Sequence, residues 1–200
     1  MRFFAAITLP LVIAVSPVAA EMIAGAENSA TIAEKQVIPT RADRLESLYQ
    51  RLAATADQSE AQGILRQIER IQLMSGSPTA DLLLERVGVL VGKGDLPLAS
   101  ELFESILRLT PEWPEAWYRR AVLFQMTGDN ERAIVALIKT LSLEPRHLHA
   151  LEMLGALYSG RGENENALKA YRLALDIYPG SEDVRNIVRQ LSLKVDGKDI

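Results

Sequence analysis

The chain has 200 residues, 48% hydrophobic and 24% charged, a balance that excludes collagen-like and largely disordered architectures and allows one good-sized core or a short repeat array. Its formal charge is −4, or −5 if residues 1–20 with their single cation Arg2 are removed, and such a surface is not built for nucleic acid or anionic lipid. The absence of cysteine excludes disulfides, a thiolate nucleophile, a cysteine metal site and a lipoprotein anchor, so stability must come from packing.

Residues 1–20, MRFFAAITLPLVIAVSPVAA, read as a secretory signal peptide: a cation at Arg2, an apolar run, then small residues with Val18 and Ala20 placed for cleavage before Glu21. Phe3 to Ala20 is nearly long enough to be an uncleaved anchor, but Pro10, Pro17 and the closing Val-Ala-Ala favour cleavage. No later stretch could cross a bilayer. Residues 21–40 lack sustained periodicity and read as a flexible lead-in or partner-binding arm, with Pro39 discouraging helix in the residue before it.

Residues 41–74 are expected to form a helical hairpin. Leu45, Leu48, Tyr49 and Leu52 mark the apolar stripe of its first helix, and Ala61, Ile64, Leu65 and Ile68 that of its second, with Asp57 and Glu60 resembling a capping box between them. Gly76 then supplies a helix stop, Ser77 an N-cap and Pro78 a first helical residue.

From residue 80 a period of 34 residues governs: Gly94, Gly128 and Gly162 keep that spacing, as do Ala99, Ala133 and Ala167, and Pro111, Pro145 and Pro179. Each unit reads as helix, glycine-acid turn, helix, proline. The glycine can adopt the left-handed conformation that ends the first helix, and the following acid (Asp95, Asp129, Glu163) suits the positive end of the second. The alanine four residues beyond lets the two helices cross closely, and the proline stops the second helix.

These residues resemble the tetratricopeptide repeat, with its W-x2-L-G-x2-Y, A-x3-F and P pattern. Residues 148–181 fit best, through Leu151, Leu154, Gly155, Tyr158, Ala167, Tyr171 and Pro179; residues 114–147 offer Trp117, Ala121, Phe124, Ala133, Leu137 and Pro145 but place Arg120 where leucine is usual. Residues 80–113 keep Ala99, Phe103 and Pro111 and depart most in the first helix, where Arg86 and Val87 replace Leu-Gly. The resemblance implies an all-α solenoid of three units. Residues 182–195 look like its solvating C-terminal helix, ahead of a tail at 196–200, and the 41–74 hairpin looks like an N-terminal cap or a degenerate repeat.

No phosphate-cradling loop, nucleophile elbow or metal-ligand helix motif occurs. His147 and His149, with Glu152 one turn on, lack a third converging group, and read as an inter-repeat turn and an exposed helix start. No catalytic, cofactor or metal residue is assigned. Surplus apolar surface points elsewhere. Trp117, Ala121 and Phe124 form one stripe of a helix, and Tyr118, Val122 and Met126 a second about 100° round its axis.

In the family this chain resembles, first helices line a concave groove that holds an extended or helical peptide. By register the resemblance implies a groove of Leu84, Tyr118, Val122, Gln125, Met126, Glu152, Ser159 and, on the last helix, Arg189. The lysine and asparagine clamp with which some members hold an acidic chaperone tail is absent, since Leu84 and Gly88 stand at the corresponding places. The expectation is an exported, periplasmic, non-enzymatic module binding a protein or peptide, with a place in envelope assembly or maturation. The alternative is a self-associating structural protein, against which the polar end LSLKVDGKDI argues.

Overall fold

A computed structural model describes residues 39–197. The expected signal peptide, nearly all of the lead-in and residues 198–200 lie outside the described residues. Among the described residues there are nine helices and no strand: α1 (Arg41–Ala54), α2 (Gln58–Gln72), α3 (Pro78–Gly92), α4 (Leu96–Leu109), α5 (Pro114–Met126), α6 (Asn130–Leu143), α7 (Leu148–Gly160), α8 (Asn164–Ile177) and α9 (Glu182–Asp196). No helix among them is long and apolar enough to cross a membrane. The pairs α3–α4, α5–α6 and α7–α8 are the three units.

Local chemistry sets the helix ends. Gly76, Gly94, Gly128 and Gly162 all lie near φ +80°, a region that costs other residues a Cβ–carbonyl clash. Asp95 and Asp129 then cap α4 and α6, their carboxylates accepting the backbone N–H of Leu98 and Arg132. Glu163 instead pairs with Arg161 at 2.7 Å and makes no side-chain cap. The capping box expected at Asp57 is only half formed. Asp57 accepts from Ser59 and Glu60, but the Glu60 carboxylate turns away to Thr55 (2.7 Å) and Arg51 (3.1 Å). A full box stands at α1, between Thr40 and Asp43, where the sequence reading had none.

Packing explains the recurring small residues. Ala99, Ala133 and Ala167 have no exposed surface, which lets the two helices of each unit close on one another over Phe103, Leu137 and Tyr171. In unit three the fit is tighter still, because a Cβ at Gly155 would lie 2.8 Å from the Tyr171 ring. Arg120, at the usual leucine place in unit two, is accommodated by its dual character. Its guanidinium lies over the rings of Trp117 (5.7 Å) and Phe124 (5.1 Å) and pairs with Glu104 of unit one.

The α1–α2 hairpin departs from the expected cap. The core of unit one consists of Ala80, Val87, Ala99, Phe103, Ile106, Leu107 and Trp113 with Ala116 and Leu123 of unit two, and no hairpin residue joins it. Instead Leu45, Leu48, Tyr49, Leu52, Ala61, Ile64 and Ile68 share one core with Leu148, Leu151, Leu168, Tyr171 and Tyr178 of unit three and with Val184 and Leu191 of α9. The hairpin thus reaches across to the far end of the array. Polar contacts tie it down at two places: Arg146 pairs with Glu46 at 2.7 Å and lies 4.4 Å over the Tyr49 ring, and at the junction of units one and two the Trp113 indole N–H donates to the Gln72 carbonyl at 2.8 Å.

Gly155→Ala tests the unit-three crossing. A mid-helix glycine-to-alanine change normally stabilises by up to about 1 kcal/mol. Here the collision with Tyr171 should reverse the sign, with a loss of about 1–3 kcal/mol in denaturant unfolding. Ala133→Leu in unit two should cost about the same, because a buried position with no free surface cannot take three more carbons; an unchanged transition midpoint would mean that the crossing has room for the larger side chain.

Candidate functional site

The first helices of units one and two, together with the end of α2, border a cavity of about 370 Å³. Such a volume is within the range of about 300–1,000 Å³ usual for ligand sites. One side is apolar, from Leu84, Val87 and Val91 of α3 and Val122, Leu123 and Met126 of α5, with Gly88 leaving the wall bare. The other is polar, from Glu69 of α2, Glu115 and Arg119 of α5 and His149 of α7, with Tyr118 between the two.

A buried polar chain holds this arrangement. Glu115 and His147 are 2% and 1% exposed, and the two side chains meet at 3.1 Å. His147 is the N-cap of α7, its Nδ1 accepting the Ala150 N–H, so the ring proton sits on Nε2 and is donated to the Glu115 carboxylate. Arg119 Nε donates to the other Glu115 oxygen at 2.5 Å, and its guanidinium reaches Glu69 of the hairpin at 3.6 Å. Burial pushes the Glu115 carboxyl up, but the His147 hydrogen bond and the Arg119 charge outweigh it and hold the group below its usual range. The expectation that His147 is merely part of a turn is therefore corrected: it is a buried link between units two and three.

His149 is different. It is half exposed, lies 3.6 Å from Glu152 and stacks near Tyr118, with ring centroids 6.3 Å apart. The Glu152 interaction raises its pKa; burial opposes this, and Glu69 and Glu115 add to the rise. Tyr118 also packs on His147, with centroids 4.8 Å apart, so its ring is wedged against both histidines. Among the described residues no group of three or more His, Cys, Asp and Glu could hold a metal ion.

Of the eight residues expected in the groove, the structure brings Leu84, Tyr118, Val122 and Met126 to this one cavity. Gln125, Glu152, Ser159 and Arg189 do not line it; Glu152 touches it only through His149. Periodicity missed Glu69, which comes from outside the repeats, and Glu115 and Arg119, which it did not single out. The one usable signal was their spacing of four residues, which sets a helical ion pair.

His147→Ala should lower stability by about 2–4 kcal/mol, combining about 1–3 for a hydrogen bond to a buried charge with about 1 for the lost cap. Chemical denaturation checks this, and a loss below about 0.5 kcal/mol would deny the link its role. For His149, a proton NMR titration should give a midpoint above that of a free histidine, and Glu152→Gln should lower it. Because the folded value is raised, this group's contribution to stability is present at low pH and is lost as pH rises through the folded value.

The sequence profile of the tetratricopeptide repeat matches residues 84–141 and 127–182, the same three units seen in the fold. A TPR repeat-containing protein of Rhizobium etli is 29% identical over 201 residues, covering 98% of this chain and 97% of that relative. The first TPR of Spaghetti (RPAP3), solved bound to the HSP90 peptide SRMEEVD, is 20% identical with a TM-score of 0.54, covering 58% of this chain and 93% of its own. The Yersinia enterocolitica type III secretion chaperone SycD, solved with a peptide of the translocator YopD, is 15% identical with a TM-score of 0.54, covering 59% and 95%. With its period, its turn chemistry, its helix crossings and these likenesses in agreement, the chain belongs to the tetratricopeptide repeat family.

Proposed function

We propose that this protein is a non-enzymatic interaction module whose α3–α5 cavity receives an apolar side chain of a protein or peptide partner. The observation that carries the reading is the wall itself: Leu84, Val122 and Met126 project from two different helices onto one open space, and Met126 is left 53% exposed. Apolar surface gathered in a concavity and left partly open to solvent is what a partner's anchor residue buries. The peptide complexes of RPAP3 and SycD support the mode of binding, because a solenoid of the same fold holds a peptide in each.

Residues 1–20 support export, with Glu21 as the first mature residue and the periplasm as destination, where a module of this kind would serve envelope assembly or maturation. Self-association is the second reading. It is favoured by Leu82 (65% exposed) and Val89 (52% exposed) on α3, the end of the array that the hairpin leaves uncovered.

Val122→Ala with Met126→Ala should leave the melting temperature within a few degrees. It should weaken binding of a captured peptide by about 1–2 kcal/mol, the scale of a few interface anchors. Unchanged affinity in this folded variant would remove the groove reading. N-terminal sequencing of the protein from fractionated cells should give Glu21 in the soluble exported fraction, whereas intact Met1 in membranes would establish an anchor. Sedimentation of wild type beside Leu82→Glu decides self-association, which predicts a concentration-dependent oligomer that the variant abolishes.

A further inference from the structure

The polar end of the cavity carries an imbalance of charge. Glu69 and Glu115 line it, Glu152 stands beside it against His149, and Arg119 and His149 are the basic groups among them. Glu115 is fully engaged by His147 and Arg119 and is closed to solvent. Glu69 and Glu152 are not: their side chains stay 47% and 34% exposed, Glu69 meeting Arg119 only at 3.6 Å and Glu152 meeting only the His149 ring. These are therefore the carboxylates that an incoming group can reach. The same carboxylates act on their neighbours: Glu152, against burial and with Glu69 and Glu115 adding to it, favours the protonated form of His149, and at the Tyr118 hydroxyl burial first and then Glu115, Glu152 and Glu69 disfavour ionisation, with Arg119 opposing them.

Resting on the groove reading above, we infer that the cavity selects a basic-apolar peptide: one apolar side chain against Leu84, Val122 and Met126, with a neighbouring lysine or arginine directed at Glu69 and Glu152. The geometry gives each half of such a ligand a complement. The aliphatic stem of lysine or arginine can follow the apolar wall past Tyr118 while its charge reaches the carboxylates, which is how such side chains divide between apolar and polar surroundings. An acidic peptide meets the opposite. Its carboxylates would face two exposed glutamates, with Arg119 already held by Glu115 at 2.5 Å, and like charges placed together at an interface discriminate against a ligand. The hairpin matters here, because Glu69 is supplied by α2 and the repeats alone would lack it.

The test is to pan random dodecapeptides on residues 21–200 and measure the best binders by calorimetry at fixed ionic strength. Selected peptides should pair an apolar residue with lysine or arginine. Exchanging that residue for glutamate should weaken binding at least about tenfold, by loss of attraction and gain of repulsion. Glu69→Gln and Glu152→Gln, both at partly exposed positions, should each weaken it about two- to fivefold, the effect of a screened ion pair. Raised salt should do likewise.

Binders without basic residues, or binders indifferent to both glutamine variants, overturn the charge inference. If these binders are still lost on Val122→Glu, the groove reading survives alone. Binders untouched by Val122→Glu, or no binders at all, overturn both.

Discussion

One carboxylate joins three parts of this molecule. Glu115 lies on the first helix of unit two, accepts one hydrogen bond from His147, which caps the first helix of unit three, and a second from Arg119, and through Arg119 is tied to Glu69 of the hairpin. An unpaired carboxylate buried to this degree would cost several kcal/mol, so its partners are held in place by the penalty of losing them. Tyr118 lies against both histidine rings, the buried His147 and the half-exposed His149 that borders the cavity. The candidate site is thus positioned by a buried polar chain while its walls remain ordinary apolar repeat surface.

The second consequence is asymmetry. A solenoid normally adds each element beside the last, so that stability is close to a sum of neighbour interfaces. Here the first two helices stay out of the apolar core of unit one and complete that of unit three, with Tyr49 and Leu52 buried against residues about 100 or more positions further along the chain. Arg146 secures this with one guanidinium that both pairs with Glu46 and covers Tyr49. Long-range closure of this kind makes the array less divisible, and it brings α2 to the edge of the cavity. Unit one is left with exposed leucine and valine on α3 as a result.

Arg120 shows how a departure from the repeat pattern is absorbed. The leucine usual there would bury only apolar carbon. Arginine lays its guanidinium over Trp117 and Phe124 and pairs the same group with Glu104 of the preceding unit, so the contact between the units is partly ionic. The exchange lies away from the cavity and leaves its walls unchanged.

The sequence by itself determined the repeat units. Gly94, Gly128 and Gly162, the capping acids, the buried alanines and the prolines act within one or two turns of chain, where backbone sterics and local hydrogen bonds decide the outcome whatever lies elsewhere. The second stripe of α5 was legible for the same reason, and it yielded the apolar half of the cavity. The tertiary structure alone decided the rest. The link from Glu115 to His147 spans 32 residues, that from Gln72 to Trp113 spans 41 and that from Glu46 to Arg146 spans 100. Periodicity assigns a residue to a face but not to the partner that covers that face. A histidine in a turn and a glutamate at a helix start read as solvated until packing removes the water around them. Then their pairing becomes obligatory, and so does the placement of the hairpin.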